Sequence, residues 1–445
     1  MPRHRRIIFV TAFALGFLAP LLAAAQTPAL CGSGAPEGWL AACGAIIDDP
    51  RESDASRVRA LKFRGLAYYR TGELAHALAD FSEATRLAPG DAEAWNNLGM
   101  MRQTRGDLDG AIADYDKAIA LDPSSAATHV NRGNALRLKG DATGAIAAYE
   151  RALALKADLG SALRGRGAAR LMRGDLRGAV ADATAALGID PRDSDALVGR
   201  GSAFRLLGDA DKALADYDEA TRIAPDLAGA WLDRGAVLLQ KGELPEAIAS
   251  FDKTIALNPR SVEAYNNRGA AESQTGDFAR AALDLDTALR LGPNSEEAFG
   301  NRAFVRLALG DYAGAAEDFE ALATHDPTDP YRILWRHLAR LRAGLADESF
   351  ARDASTFPPD PWPGALLALY AGSLDRGKVL GLAPPPEAAA RVERRCETVF
   401  YVGEYALTHD DRGGATALIR EAAETCPVGF LERAAAIGEL KRLQP

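Results

Sequence analysis

The sequence predicts an all-α fold in which helix-turn-helix units stack into a right-handed solenoid with a helical cap at the C-terminal end. A 34-residue period runs without insertion through most of the chain. Within that period, glycine and alanine recur at fixed positions where two helices can approach closely. The composition is 48% hydrophobic, and it shows no strand-like alternation of polar and apolar residues. These observations favour stacked repeats over two or three globular domains.

Residues 1–25 have the pattern of a signal peptide. Arg3, Arg5 and Arg6 precede an apolar stretch from Ile7 to Leu22, and three alanines follow it. We expect cleavage there and a mature chain from Gln26, in the periplasm or secreted; an uncleaved membrane anchor is the alternative. Loss of three arginines and no acids takes the formal net charge from −9 to −12. That charge argues against nucleic acid as a partner and leaves membrane association at most indirect.

The cysteines form one pair near each end of the chain. Cys31 and Cys43 lie in an N-terminal helical cap, residues 26–57, whereas Cys396 and Cys426 lie in the last fifty residues. An exported chain encounters oxidising conditions, so we expect a disulfide within each pair, the simplest of three possible connectivities.

Eight repeats occupy residues 58–329. The eighth position is glycine in seven repeats and alanine in the last: Gly65, Gly99, Gly133, Gly167, Gly201, Gly235, Gly269 and Ala303. The twentieth position is alanine in every repeat, from Ala77 to Ala315. A further glycine, from Gly72 to Gly310, is predicted to end the first helix of each repeat in the left-handed conformation.

The stretch from Trp95 to Pro123 shows what the pattern resembles. It carries the spacings W-x2-L-G and A-x3-Y and a closing proline, which are those of the tetratricopeptide repeat, with Arg102 in place of the usual aromatic residue. The resemblance implies a first helix, A, and a second helix, B, in each repeat. It also implies a protein-binding role.

The seventh position carries arginine in seven repeats, where the family usually has an apolar residue. The twenty-third position, on helix B, is aspartate in six repeats. We expect Arg-to-Asp bridges along the stack, and a basic stripe for an anionic ligand is the alternative. The predicted pairs include Arg166 with Asp182, Arg200 with Asp216, Arg268 with Asp284 and Arg302 with Asp318. Repeats three and six have Ala148 and Ser250 at that position, so their arginines must pair across a repeat boundary or reach solvent.

The sixth position predicts a peptide-binding groove. In the family it lies on helix A and faces the concave surface, and an amide there can both donate to and accept from a peptide backbone. Here the polar residues are Asn97, Asn131, Asp233, Asn267 and Asn301. The set is similar to the asparagine ladder of some family members, although Phe63, Gly165 and Gly199 interrupt it. Polar residues on the helix surface that bind no ligand are the alternative. The acidic residues at the second position argue against a carboxylate clamp.

After Asp329 the register is expected to decay into a helical, proline-rich capping segment, residues 330–395. A helix is predicted from Tyr331 to Arg342, and Pro384, Pro385 and Pro386 close the segment. From Cys396 a single repeat-like spacing returns and is followed by a last helix, in residues 396–445. Such a terminal unit covers the open end of a solenoid.

The C-terminal third carries a closer resemblance. Asp329-Pro330-Tyr331-Arg332, the segment around Trp362, and Phe400-Tyr401 with Gly403 are similar to the NlpI-type lipoproteins. That family consists of periplasmic adaptors that bring a processing protease to peptidoglycan endopeptidases. The present chain has more repeats, and Leu30 precedes Cys31, which does not suit lipidation.

An enzyme is the competing class. Hydrolase and phosphate-loop motifs are missing, and Gly165 and Gly167 belong to the repeats. Cys396 and His409 are the nearest nucleophile and base, but they lie at opposite ends of one predicted helix. We therefore expect no catalysis, no cofactor and no metal site.

The sequence predicts an exported scaffold that binds envelope proteins such as peptidoglycan hydrolases, proteases or assembly factors. A periplasmic peptide-binding or chaperone-like assembly factor is the alternative.

Overall fold

A computed structural model describes residues 31–33, 38–383, 392–427 and 430–443. The described residues form twenty-four α-helices and no strand, so the predicted all-α solenoid is confirmed. They fall into two compact units, of which the first ends at Gly199 and the second begins at Arg200. The predicted signal peptide and Pro384 to Pro386 lie outside the described residues. Among the described residues, no helix has both the length and the apolar content of a membrane span.

The N-terminal cap contains α1 (Trp39–Asp48), which packs on the first repeat. A disulfide joins Cys31 to Cys43 and thereby ties residues 31–33 to α1. Gly32 lies against the Phe63 ring, and the Trp39 ring meets the same phenylalanine edge to face at 5.4 Å. These aromatic contacts cover the apolar face of the first repeat.

The repeats form sixteen helices, alternately A and B. The four repeats that precede Gly199 consist of α2 (Asp54–Arg70), α3 (Leu74–Leu87), α4 (Ala92–Thr104), α5 (Leu108–Leu121), α6 (Ala126–Leu138), α7 (Ala142–Leu155), α8 (Gly160–Met172) and α9 (Leu176–Ile189). The following repeats consist of α10 (Ser194–Leu206), which contains the unit boundary, α11 (Ala210–Ile223), α12 (Ala228–Lys241), α13 (Leu244–Leu257), α14 (Val262–Thr275), α15 (Phe278–Leu291), α16 (Glu296–Leu309) and α17 (Tyr312–His325).

Local signals begin and end these helices. Asp107 illustrates a B-helix start, since its carboxylate accepts a hydrogen bond from the Gly110 backbone amide. The glycines between helices A and B, Gly72 to Gly310, all have φ between 75° and 90°, which confirms the predicted left-handed turns. Because a side chain is strained in this conformation, glycine permits the short connection.

The period is also a packing pattern. At the eighth position of repeat two, an added Cβ on Gly99 would lie 2.8 Å from the Tyr115 ring, so only glycine leaves room for that ring. The alanines at position twenty, such as Ala111, are fully buried between the helices. Seven of the eight repeats therefore combine one aromatic or large apolar residue at the twenty-fourth position with several small residues, whereas repeat four has Ala183 there.

The repeat register extends through one helix beyond Asp329 before it is lost. The helix α18 (Pro330–Arg342) is a further A helix, with Arg336 at the seventh position and Gly344 at the turn with φ of 69°. Short helices then replace a B helix: α19 (Phe350–Ala354), α20 (Gly364–Tyr370) and α21 (Arg376–Gly381). The chain ends with α22 (Val392–Thr408), α23 (Arg412–Thr425) and α24 (Leu431–Leu443), and a disulfide joins Cys396 to Cys426.

The last helix returns to repeat eight. Gly438 lies against Ala308 of α16, and the Arg442 Nη1 donates to the Ala308 carbonyl at 2.6 Å. Beside this contact, Arg342 pairs with Glu404 at 2.8 Å and with Glu439 at 2.9 Å. Burial raises the pKa of Glu404, and the Arg342 guanidinium opposes that shift. The terminal helix therefore covers the end of repeat eight through small residues and a buried charge cluster.

Candidate binding groove

A cleft of about 440 Å³ opens along the A helices of repeats two to five, within the first unit. We call it the A-helix cleft, and its lining residues are Gln103, Asn134, Arg137, Leu138, Ser161, Arg164, Gly165, Ala168 and Asp195. The lining is part polar and part apolar, and it includes Gly165, one of the two glycines at the sixth position. Pockets of roughly 300–1,000 Å³ are the size that proteins use for small ligands and short segments.

Tyrosines from the B helices supply polar groups beside the cleft. The Tyr115 hydroxyl donates to the side-chain oxygen Oε1 of Gln103 at 3.1 Å, and the Tyr149 hydroxyl donates to the side-chain oxygen Oδ1 of Asn134 at 2.7 Å. Both rings are fully buried, so their hydroxyls reach the cleft side of helix A from beneath. The sequence indicated the rings as core residues but did not indicate this second role.

Gly165 shapes the cleft by making room for Tyr149. A Cβ on Gly165 would lie 2.5 Å from the Tyr149 Cζ and 2.8 Å from its hydroxyl oxygen. Beside it, a void of about 50 Å³ is lined by Ala183 and Gly199 among others. Ala183 stands at the position where neighbouring repeats carry Tyr149 and Tyr217, so less side chain fills this repeat.

We expect opposite stability effects from alanine at the two sixth-position glycines. Gly165→Ala should lower the unfolding free energy by about 1–3 kcal/mol, because the new methyl group collides with Tyr149. Gly199→Ala should raise it by about 0.5–1 kcal/mol, because no atom of the described residues lies within 4 Å of the added Cβ. Thermal unfolding of both variants provides the measurement. Equal shifts for the two variants would contradict this account of the cleft.

The predicted asparagines of the first unit, Asn97 and Asn131, are linked through Asn96. The Asn131 amide donates to Asn96 at 3.0 Å, and the Asn96 amide donates to Asn97 at 3.4 Å. Asn97 is only 6% exposed, and its amide nitrogen has no hydrogen-bond partner among the described residues. Here the structure differs from the prediction, since Asn97 lies beneath Asn96 rather than on an open surface. The half-buried Asn131 remains the accessible member.

The second unit contains the same arrangement. The Asn301 amide donates to Asn266 at 2.9 Å, and the Asn266 amide donates to Asn267 at 3.2 Å. Asp233 does not take part in this series of hydrogen-bonded asparagines. Burial raises the pKa of its carboxyl group. The fifth-position residues Asn96 and Asn266 were missed, although each forms a visible Asn-Asn pair in the sequence.

Five of the seven arginines at the seventh position make two-point contacts with the aspartate of their own repeat. The closest distances are 2.6 Å for Arg166 to Asp182, 2.7 Å for Arg200 to Asp216, 2.6 Å for Arg268 to Asp284 and 2.7 Å for Arg302 to Asp318. Arg132 and Arg234 pair across repeat boundaries with Asp116 and Asp218, as expected where helix B lacks an aspartate. This geometry argues against a free basic stripe, because the guanidinium donors already face carboxylates.

A second arginine at the eleventh position was missed. Arg170 and Arg306 share Asp182 and Asp318 with the seventh-position arginines. In repeat two, where the seventh residue is Leu98, Arg102 alone reaches Asp114, at 2.6 Å. Asp114 Oδ1 is left buried without a hydrogen bond among the described residues, and burial raises the pKa of this carboxyl group. The recurrence of arginine at 102, 170 and 306 was the available signal.

The alternative in which Cys396 is a nucleophile and His409 its base lacks a free thiol. Cys396 is bonded to Cys426, and His409 stacks on the Tyr405 ring at 4.0 Å. A disulfide sulfur carries no ionisable thiol. Within the described ranges, no group of three or more His, Cys, Asp or Glu side chains is arranged to hold a metal ion.

Comparison with known families identifies the repeat. A tetratricopeptide repeat model matches residues 48–92, 64–126, 102–160, 232–296 and 266–330, and a TPR repeat model matches residues 201–242. Together they run over 48–160 and 201–330, which is more than half of the 445 residues.

Solved structures also resemble parts of the chain. MamA is 26% identical over 36% of this chain and 95% of its own, with a TM-score of 0.33. A tetratricopeptide repeat protein from Parabacteroides merdae is 20% identical over 55% of this chain and 97% of its own, with a TM-score of 0.46. YrrB, described as a TPR protein with an unusual peptide-binding site, is 25% identical over 41% and 95%, with a TM-score of 0.34.

Proposed function

Because the chain belongs to the tetratricopeptide repeat family, whose members bind other proteins or peptides, we propose that it is an exported scaffold that holds an extended segment of a partner protein in the A-helix cleft. The observation that carries this proposal is the cleft itself, about 440 Å³ across four successive A helices. A segment lying across those helices would contact several repeats at once.

The chemistry of the lining suits a polypeptide. Gln103, Asn134 and Ser161 offer side-chain donors and acceptors for a peptide backbone, and Leu138 offers an apolar surface that is 54% exposed. Each backbone hydrogen bond contributes only about 0.5–1.5 kcal/mol, so affinity would come from several such contacts together with apolar burial. The cleft therefore favours an extended segment over a small rigid ligand.

Export and the class of partner belong to the same proposal. Two disulfides suit an oxidising compartment, and residues 1–25 have the pattern of a cleaved signal. The resemblance of the C-terminal third to NlpI-type adaptors supports envelope hydrolases, proteases or assembly factors as partners. We propose no catalytic role for the chain.

The domain division belongs to the proposal too. We keep residues 26–57 as an N-terminal cap and residues 58–329 as the repeats. Residues 330–395 then supply one further A helix and the capping helices, and residues 396–445 supply the terminal repeat-like unit.

Photo-cross-linking from single positions tests the cleft. We expect p-benzoylphenylalanine at Leu138 to capture a partner in intact cells, whereas the same group at Leu121 should not. Leu121 is a matched control because it is 45% exposed at the end of α5 and does not line the cleft. Adding Ser161→Trp, an exposed lining position, should reduce capture at Leu138 at least tenfold because the indole fills the cleft.

A third cross-linking position tests whether the partner binds to the C-terminal region instead of the cleft. Leu345, 45% exposed after α18, would carry the same cross-linker. Capture at Leu345 or Leu121 that equals capture at Leu138, and that Ser161→Trp leaves unchanged, would contradict binding in the cleft. Far-UV circular dichroism of each variant checks that the fold is retained.

A further inference from the structure

Arg137 is a cation in the A-helix cleft without a carboxylate of its own. It lies near the end of α6 and is half-buried, and its Nε atom is fully buried without a hydrogen-bond partner among the described residues. No ion pair joins Arg137 to any acid in the part of the chain that the structure describes. Desolvation of a guanidinium that lacks a counter-charge is unfavourable, so the site favours an anionic group supplied by a ligand.

Other A-helix cations of the first unit are satisfied within the protein. Arg102, Arg166 and Arg170 reach buried aspartates, and Lys62 pairs with Asp91 at 2.9 Å. Within the cleft, Arg164 pairs with Asp193 at 2.6 Å and approaches Asp195 at 3.7 Å. Arg137 therefore differs from the other partly buried cations on the A helices of the first unit, which pair with carboxylates.

Apart from Arg164 and Asp195, which approach each other at 3.7 Å, the polar side chains that line the cleft with Arg137 are neutral. Asn134 is already the acceptor for the Tyr149 hydroxyl, and Gln103 is the acceptor for Tyr115. Burial raises the pKa of Tyr149, whose hydroxyl interacts with Arg137, so it stays a neutral phenol and cannot neutralise the arginine. Arg137 therefore has no paired carboxylate among the described residues.

An apolar side chain lies next to this charge. Leu138 follows Arg137 directly, lines the same cleft and is 54% exposed. A large exposed apolar side chain in a cleft can receive an apolar side chain of a bound segment. The net charge of −9 means that the whole molecule does not attract acids at long range, so an acid would be recognised by local contact.

We infer that the A-helix cleft selects an extended peptide segment in which an aspartate or glutamate side chain binds Arg137 beside an apolar residue that packs on Leu138. This inference rests on the proposed function, because it assigns a sequence preference to the same cleft. The acid belongs to a side chain rather than to a chain end, because the lining continues on both sides of Arg137. Gln103 lies one repeat before Arg137, and Asp195 lies two repeats after it.

Peptide libraries test the preference on the purified full chain. The probes are N-acetylated, C-amidated hexapeptide mixtures in which one position is fixed as Glu or as Gln and the others vary. At one position or more, we expect the Glu set to bind at least tenfold more tightly than the Gln set, measured by competition in fluorescence anisotropy. Arg137→Gln should reduce the ratio to less than twofold, and Arg137→Lys should retain part of it.

Arg173→Gln is the matched control. It makes the same change of charge at an exposed arginine outside the lining, so the Glu preference should persist. Circular dichroism would show that Arg137→Gln remains folded, and Arg137→Lys separates loss of charge from loss of structure.

The outcomes separate the two proposals. Libraries that do not bind, or that bind equally to wild type and Ser161→Trp, would overturn the proposed function. Cleft-dependent binding with equal affinity for Glu and Gln sets would overturn the acidic preference alone. A preference that appears only with free C-terminal carboxylates would also overturn it, because the acid would then be a chain end.

Discussion

Asp318→Ala should lower the unfolding free energy of the second unit by about 3 kcal/mol, because it leaves two partly buried arginines without their shared carboxylate. Asp318 is 1% exposed and accepts hydrogen bonds from Arg302 at 2.7 and 3.0 Å and from Arg306 at 3.0 Å. Water reaches these partly buried guanidinium groups only in part, so hydration cannot replace the lost carboxylate unless the helix pair opens. Urea denaturation followed by far-UV circular dichroism gives the measurement.

Asp286→Ala is the matched control for this loss. Asp286 pairs with the same Arg302 at 2.7 Å, but its side chain is 55% exposed. Solvent screens that pair, so its removal should cost less than about 1 kcal/mol. Similar losses for the two variants would mean that burial does not set the strength of these bridges. The combined Arg302→Met and Asp318→Leu change should recover part of the loss, because no buried charge at Arg302 is then left without its partner.

The Cys396→Ala, Cys426→Ala variant should lose about 3–4 kcal/mol of stability in the second unit. The bond closes a loop with a sequence separation of 30 residues, and cross-linking such a loop restricts the unfolded chain by that amount in the chain-entropy model. Both sulfurs are buried between α22 and α23, so the bond also lies in the core of the terminal repeat-like unit. Urea midpoints of the oxidised and doubly substituted proteins give the difference.

The N-terminal bond provides a comparison. Cys31 and Cys43 have a sequence separation of 12, so the same model assigns this bond about 3 kcal/mol, less than the C-terminal bond. Alkylation without reduction should label no cysteine in protein purified from an oxidising compartment. Labelling of Cys396 or Cys426 there, or an unchanged midpoint in the double variant, would contradict the role assigned to this bond.

The features that repeat at a fixed offset could be predicted from the sequence alone. Glycine at the eighth position, alanine at the twentieth and glycine at the turn are local requirements of two antiparallel helices, so they can be read without the fold. The pairing of Arg166 with Asp182 could be predicted for the same reason, because the seventh position on helix A faces the twenty-third position on helix B, sixteen residues later. Local pairing of the cysteines likewise needed only their spacing and the predicted helix directions.

Which side chains contact each other at these positions could be seen only in the folded protein, because burial depends on neighbours from other repeats. Asn97 lies beneath Asn96, and Arg306 reaches an aspartate that Arg302 already holds. The return of α24 to Ala308 joins residues far apart in the chain, and no period encodes that contact. The sequence alone does not distinguish Arg137 from the arginines that pair with aspartates; its lack of an ion pair among the described residues follows from how the helices around the A-helix cleft pack.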